Sequence, residues 1–319
     1  MTTETDQQRP TPAAQIADNA VIPEDIKADI EQFGIDGFTG PIKLYEPEEA
    51  AALIREIRIN NQDSSKALYQ NSVNYDRHFD IPELSRHVTH PTIIKYLTAI
   101  LGPDVLNWRT EWFPKFPGAK ATEWHQVRDY SYANGKPQLL PTESEWNAFI
   151  DITVWTTFTP ATQDRACMKF VKGSQREWIF DEHKATDAGR GADYDVAHAN
   201  TGFFGYDFAD FKIDPKWEPR AEDVVELEMQ PGEAVIFTAS CVHGSTPNLT
   251  ERETRFAIAS RYVPTHVRVY PGQDSFSAHG ATFDLADYGS VLVAGENRYD
   301  HNRIRTENNH GTPFGWTQS

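Results

Sequence analysis

Residues 231–245 read Pro-Gly-Glu-Ala-Val-Ile-Phe-Thr-Ala-Ser-Cys-Val-His-Gly-Ser. A Pro-Gly turn, an acidic residue and the apolar run Ala234 to Phe237 describe a short strand, with His243 at a strand end. The same texture extends in both directions. Short apolar or alternating runs separated by Pro, Gly and Asn occur at Val105 to Phe113, Ile150 to Phe158, Met168 to Val171, Val224 to Met229 and Phe256 to Val263. Many short strands with turn signals between them, and no fixed-period repeat, indicate a sandwich or barrel. The expected fold is mainly β, a double-stranded β-helix (a cupin-like jelly roll) with an added N-terminal helical layer.

That layer is legible upstream. Ile22-Pro23-Glu24-Asp25 starts a helix, with proline near the first turn and acids at the positive end of the dipole, and Gly34 and Gly37 end it. Pro47-Glu48-Glu49 opens a second helix, with Ala50, Leu53, Ile54 and Ile57 at helical spacing. Pro91 to Leu101 makes a third, stopped by Gly102-Pro103, with Ile93, Ile94, Leu97 and Leu101 as its apolar set. The expected organisation is a disordered tail at 1–20 and a single domain at 21–319. Within it lie a helical layer at 22–103, a jelly roll at 104–270 with a lid-like insertion at 178–222, and a C-terminal extension at 271–319 whose last stretch is loose.

Composition narrows the function. The chain has 319 residues, 39% hydrophobic and 12% aromatic, enough for a sizeable core. Its formal charge of −17 repels nucleic acid and anionic membranes. The same surface favours a free small-molecule substrate over one tethered to an acidic carrier protein. No apolar run is long enough for a membrane span. The N-terminus has neither the basic start nor the apolar stretch of a secretory signal. Cys167 and Cys241 are the only cysteines. They are expected as half-buried free thiols in a reducing cytoplasm.

The chemistry concentrates at three residues. His125 lies in Thr-Glu-Trp-His-Gln-Val, residues 122–127, and Arg255 follows His243 by twelve positions. A single histidine is more often a surface or core residue than a ligand. Two on jelly-roll strands that meet at the barrel mouth, followed by an inward arginine, form the layout of a mononuclear iron(II) site that also binds 2-oxoglutarate. Neutral imidazole suits iron(II), and a guanidinium grips a distal carboxylate bidentately. The alternative for Arg255, a surface ion pair within Glu251–Arg255, fits Arg252 better, because Arg255 opens the alternating run Arg-Phe-Ala-Ile-Ala. Such sites usually place a carboxylate ligand two residues after the first histidine. Here that position is Val127, which ligates nothing. Strand parity puts His125 and Val127 on one face, with Glu123 and Asp129 sharing it if the strand runs through.

These residues resemble the non-haem iron(II)/2-oxoglutarate enzymes of the phytanoyl-CoA dioxygenase type. Within that group they look most like the aliphatic halogenases of syringomycin-type biosynthesis, near a fungal branch that closes an aziridine ring on valine. The likeness runs through His125-Gln126-Val127, Gly135 to Gln138, Thr153 to Thr156, Gly202 to Asp207, His243, and Arg255 through Ser260 to Pro264. It implies Fe(II) on His125 and His243. It implies 2-oxoglutarate on Arg255, Thr122 and Trp155, with O2 as cosubstrate. It implies that Val127, Thr153 and Arg261 line the open coordination position, and that Asp129, Tyr130, Tyr132 and Phe204 face the substrate. Halogenases carry alanine or glycine where Val127 stands, so that chloride can bind iron; hydroxylases carry aspartate or glutamate. Valine fits neither. Tyr132 replaces a small polar residue of the halogenase pattern. The resulting reading is iron-dependent hydrogen abstraction from an aliphatic C–H bond of a free amino acid, ending in cyclisation or hydroxylation. Chlorination of a free or carrier-tethered amino acid is the first alternative, and a non-catalytic jelly roll that binds a small ligand is the second.

Overall fold

The computed structural model describes residues 16–17, 19–141, 149–186 and 205–315. Four α-helices and fourteen strands are placed among them. The N-terminal part runs α1 (Lys27–Asp36), β1 (Phe38–Lys43), α2 (Pro47–Asn60), α3 (Pro82–His87) and α4 (Pro91–Leu101). Then come β2 (Val105–Lys115), β3 (Thr122–His125), β4 (Leu139–Leu140), β5 (Ile152–Thr157), β6 (Met168–Val171) and β7 (Val224–Leu227). The chain continues with β8 (Glu233–Thr238), β9 (His243–Ser245), β10 (Arg255–Pro264), β11 (Arg268–Val269), β12 (Ser275–Ala278), β13 (Ala281–Asp284) and β14 (Val291–Ala294).

Two antiparallel sheets face each other. The larger has the order β1-β8-β5-β10-β2-β14, the smaller β3-β9-β6-β7. This is the expected jelly roll. Side-chain alternation makes the large sheet two-sided. On β10, Ile258 and Tyr262 face the helical layer, while Arg255, Ala257, Ala259 and Arg261 share the opposite face. Ala257 and Ala259 there join an inter-sheet core with Trp155, Phe170, Val235 and Phe237. Ile26, Ile30 and Phe33 of the first helical segment and Ile93, Leu97 and Ile100 of α4 cover the outer face.

Local chemistry explains the helix bounds. Gly37 closes α1 in the left-handed conformation (φ 84°), its N–H donating to the Phe33 carbonyl at 2.8 Å. Pro91 opens α4 and the His90 ring accepts from the Thr92 N–H. Ile93, Leu97 and Leu101 of the expected apolar set are buried, and Ile94 is half-buried.

The structure amends several details. The helical layer contains a strand, β1, which pairs with β8 and extends the large sheet. Its sequence Phe-Thr-Gly-Pro-Ile-Lys is too broken by Gly40-Pro41 to read as one. Residues 1–15 and 18 of the tail lie outside the described residues, but Ala17 donates to the Ile100 carbonyl at 3.1 Å, so the end of the tail is docked. The last stretch is likewise held as far as residue 315. Asn309 donates to the Phe79 carbonyl, and the Asn308 amide to Ser85 Oγ. Both cysteines are fully buried free thiols, not half-buried ones. Of the insertion at 178–222, residues 187–204 lie outside the described residues. No helix among the described residues is long and apolar enough to cross a membrane.

Candidate active site

Between the sheets lies a cavity of about 60 Å3. The smaller sheet contributes Thr122 and His125 from β3, Met168 from β6 and His243 to Ser245 of β9. The larger contributes Thr153 and Trp155 from β5, Phe113, Phe237, and Arg255, Ala259 and Arg261 from β10. Val127, Tyr130 and Ala239 complete the wall. Among the described lining residues there is no aspartate or glutamate.

The histidine pair is built by strand pairing. His125 and His243 are cross-strand partners, and their ring centroids are 4.1 Å apart. Gly244 makes this approach feasible. A Cβ there would sit 2.6 Å from the Thr122 carbonyl oxygen. The register then slips: Thr122 pairs with Ser245 and His125 with His243, so two residues of β3 oppose the single Gly244. This bulge breaks simple alternation. It turns both Thr122 and His125 inward and leaves Glu123 exposed. The parity expectation for Glu123 is thereby overturned, and what Glu123 offers the site is its backbone carbonyl.

Both rings are oriented from behind. His125 Nδ1 bonds the Glu123 carbonyl and His243 Nδ1 the Cys241 carbonyl, each at 2.8 Å. A carbonyl only accepts, so Nδ1 carries the proton and Nε2 keeps its lone pair in both rings. Burial holds His125 well below the ordinary imidazole range and His243 down at about 4. Two neutral, pre-oriented imidazoles are the donor set a divalent metal needs. The Phe208 ring packs edge-on against His125 with the ring centroids 5.4 Å apart, so the far end of the insertion packs on the site.

Arg255 is 2% exposed and has no acidic partner among the described residues. Its Nη1 donates to the Phe113 carbonyl at 3.0 Å, its guanidinium stacks 4.7 Å from the Trp155 centroid, and its Nε has no partner. Burial pulls its pKa down to about 9. A buried cation with no anion is costly unless a ligand supplies one. Thr122 stands nearby, its hydroxyl accepting from Ser245 Oγ at 3.1 Å. The cavity therefore fits a metal on the histidines and a carboxylate-bearing ligand on Arg255.

A family model described as phytanoyl-CoA dioxygenase (PhyH) matches residues 33–257. The chain belongs to the phytanoyl-CoA dioxygenase family. Among solved structures it is similar to CytC3 with Fe(II) and alpha-ketoglutarate. That match has 32% identity, covers 95% of this chain and 100% of that one, and has a TM-score of 0.69. The non-heme monooxygenase ThoJ shares the fold at 21% identity, covering 89% of this chain and 88% of that one, with a TM-score of 0.59. So does the non-heme alpha ketoglutarate dependent carbocyclase SnoK, at 19% identity, 77% and 87% coverage and a TM-score of 0.55. No curated protein sequence gives a match.

The remaining expected residues divide. Val127, Tyr130, Thr153 and Arg261 line the cavity. Tyr132 does not; it is buried one ring away, edge-on to Phe208, which itself meets His125. Phe204 lies outside the described residues. Asp129 does not line the cavity either. It receives the Ser131 N–H at 3.1 Å and lies 3.1 Å from His183 Nε2, and its own N–H donates to Glu182. Asp129, Glu182 and His183 bring ligand-type atoms within 4.8 Å of one another, and burial raises the Glu182 carboxyl well above the ordinary range. This cluster pins the loop after β3 to the insertion. Sequence reasoning missed Phe208, Ala239 and Glu111. Glu111 had one signal: it is the one acidic residue of strand β2, amid Trp108, Trp112 and Phe113.

Proposed function

We propose that this protein oxidises an aliphatic C–H bond of a free amino acid and ends the reaction by ring closure or hydroxylation rather than chlorination. Family membership, together with the likeness to CytC3, makes the chain a non-haem Fe(II)/2-oxoglutarate-dependent oxygenase that uses O2. His125 and His243 hold the iron through Nε2. Arg255 takes the distal carboxylate of 2-oxoglutarate, beside the Thr122 hydroxyl and the Trp155 ring. Iron with 2-oxoglutarate and O2 supplies the power to remove hydrogen from an unactivated carbon.

One observation carries the outcome. Val127, two residues after His125, is 5% exposed and forms part of the cavity wall. Its N–H is fixed to the Ala239 carbonyl at 3.0 Å, and a β-branched side chain has little rotamer freedom to withdraw. It gives no ligand, and it fills the space that alanine or glycine would leave for a halide. Aziridine formation from valine is the specific outcome we put first. The acidic surface favours a free substrate over a carrier-bound one. The test is anaerobic loading with Fe(II) and 2-oxoglutarate, then exposure to O2 with a panel of amino acids, with and without chloride. Products two or sixteen mass units from the substrate, formed equally in both conditions, support the proposal. A chlorine isotope pattern from the unmutated enzyme overturns it in favour of halogenation.

A further inference from the structure

Arg261 and Glu111 form a charged pair inside the barrel that the histidines and Arg255 leave unused. Arg261 shares a face of β10 with Arg255 and Ala259 and lines the same cavity. Six residues of extended strand separate the two arginines, roughly 20 Å between their Cα atoms. They serve opposite ends of the cavity, with Ala257 and Ala259 leaving room between. Arg109, the cross-strand partner of Arg261, does not compete for this role. Its guanidinium is bonded to Gln138 and Tyr270 and is boxed by the Trp108, Tyr75 and Phe276 rings.

Glu111 is the cross-strand partner of the cavity residue Ala259, so its side chain rises on the same face. Its Oε2 lies 2.9 Å from Arg261 Nη1. The contact is close but off the hydrogen-bond direction: neither Nη1 nor Nε of Arg261 has a hydrogen-bond partner among the described residues, though both are buried. The Glu111 carboxylate, 13% exposed, has Arg261 as its one charged partner there. The Tyr130 ring, with its backbone at φ 62°, backs the Arg261 guanidinium at 5.5 Å, and its hydroxyl is tied to Asp151 at 2.9 Å. A left-handed backbone at an aromatic residue is a strained device for holding a ring in place. A rigid buried cation with unfilled donors, side by side with a carboxylate, asks for a ligand that brings an anion and a cation on neighbouring atoms.

We infer that Glu111 and Arg261 are the receptor for the zwitterionic end of an α-amino acid, Arg261 taking the α-carboxylate and Glu111 the α-ammonium. A carboxylate supplies the acceptors that the guanidinium fork lacks, and an ammonium supplies donors to Glu111. The receptor rests on the amino-acid reading above and adds how that substrate is recognised. It predicts discrimination against blocked ends, because buried polar groups left unpaired penalise the wrong ligand.

The experiment measures binding without turnover. Protein loaded anaerobically with Fe(II) and 2-oxoglutarate is titrated calorimetrically with aliphatic L-amino acids. The tightest is then compared with its N-acetyl derivative and its methyl ester. We expect both blocked forms to bind the wild type at least about tenfold more weakly. Glu111→Gln removes the penalty on the N-acetyl form and keeps the penalty on the ester; Arg261→Gln does the reverse. Binding of 2-oxoglutarate to each variant reports whether the cavity is intact. If the loaded wild type binds no amino acid, the amino-acid reading falls and the receptor with it. If amino acids bind and both variants keep both preferences, the receptor alone is overturned. It is also overturned if either variant loses 2-oxoglutarate together with both preferences, since the pair is then a structural brace.

Discussion

Arg255 is expected to destabilise the ligand-free protein it serves. It is buried, without an acidic partner among the described residues, and burial lowers its pKa from the ordinary guanidinium range to about 9. The folded state therefore binds this proton less tightly than the unfolded state. At pH below 9 the guanidinium is charged in both states and the fold bears the full desolvation penalty. The penalty is relieved only as pH rises from about 9 toward the ordinary guanidinium range. Arg255→Met keeps an unbranched apolar stem while removing the guanidinium and its charge. We expect it to stabilise the ligand-free protein by about 1–4 kcal/mol at pH 7.5. At roughly 2 °C per kcal/mol for a domain of this size, Tm rises by about 2–8 °C. The same change removes the cosubstrate effect. In the wild type, 2-oxoglutarate at a hundred times its Kd adds about 2.7 kcal/mol, roughly 5 °C; in the variant the shift vanishes. Scanning calorimetry on Fe(II)-loaded protein under argon, with and without 2-oxoglutarate, reads both numbers. A variant that melts below the wild type without ligand, yet keeps the 2-oxoglutarate shift, would refute the reasoning and move the distal carboxylate to another residue, Arg261 first.

Three further outcomes are expected. His125→Ala and His243→Ala should each abolish the visible charge-transfer band of the anaerobic Fe(II)–2-oxoglutarate complex, because in the proposed site two imidazoles are the protein's metal ligands; a full band in either variant would remove that histidine from the site. Val127→Ala or Val127→Gly should open the coordination position to chloride, read as a chlorine isotope pattern in the product, and Val127→Asp should supply a third ligand and shift products toward hydroxylation; unchanged product distributions in all three would show that residue 127 does not face the open position. Gly244→Ala drives a methyl group against the Thr122 carbonyl, so the strands must separate; we expect about 1–3 kcal/mol lost in chemical denaturation and at least tenfold weaker Fe(II) binding. Wild-type metal affinity in that variant would refute the close-approach argument.

Much of the site was legible before the fold. His125, His243 and Arg255 stand out because metal ligation and carboxylate recognition demand particular atoms, and few other residue types supply them. The short apolar or alternating runs bounded by Pro and Gly located β2, β5, β6, β7, β8 and β10, because a strand buried on one face reads as alternation and one buried on both faces as a continuous apolar run. β1 was not legible. Its interior Gly-Pro breaks the pattern, and it is a strand because β8 offers it an edge. Glu123 was misplaced because parity presumes unbroken alternation, and a bulge is set by the partner strand.

The sequence by itself determined the candidate donor set: two imidazoles, no carboxylate at position 127, and an arginine suited to an anion. It did so because side-chain chemistry belongs to the residue. Only the tertiary structure decided which charges lie unpaired inside the barrel. The sequence placed Arg255, Arg261 and Asp129 at the site and did not single out Glu111. In the folded chain Asp129 is consumed by Ser131 and His183 in a loop clamp, whereas Arg255 is sealed in without an acid and Glu111 faces Arg261 across two strands. Burial and partnership are properties of neighbours brought from far along the chain. They turn a charge from a solvated surface group into a binding site.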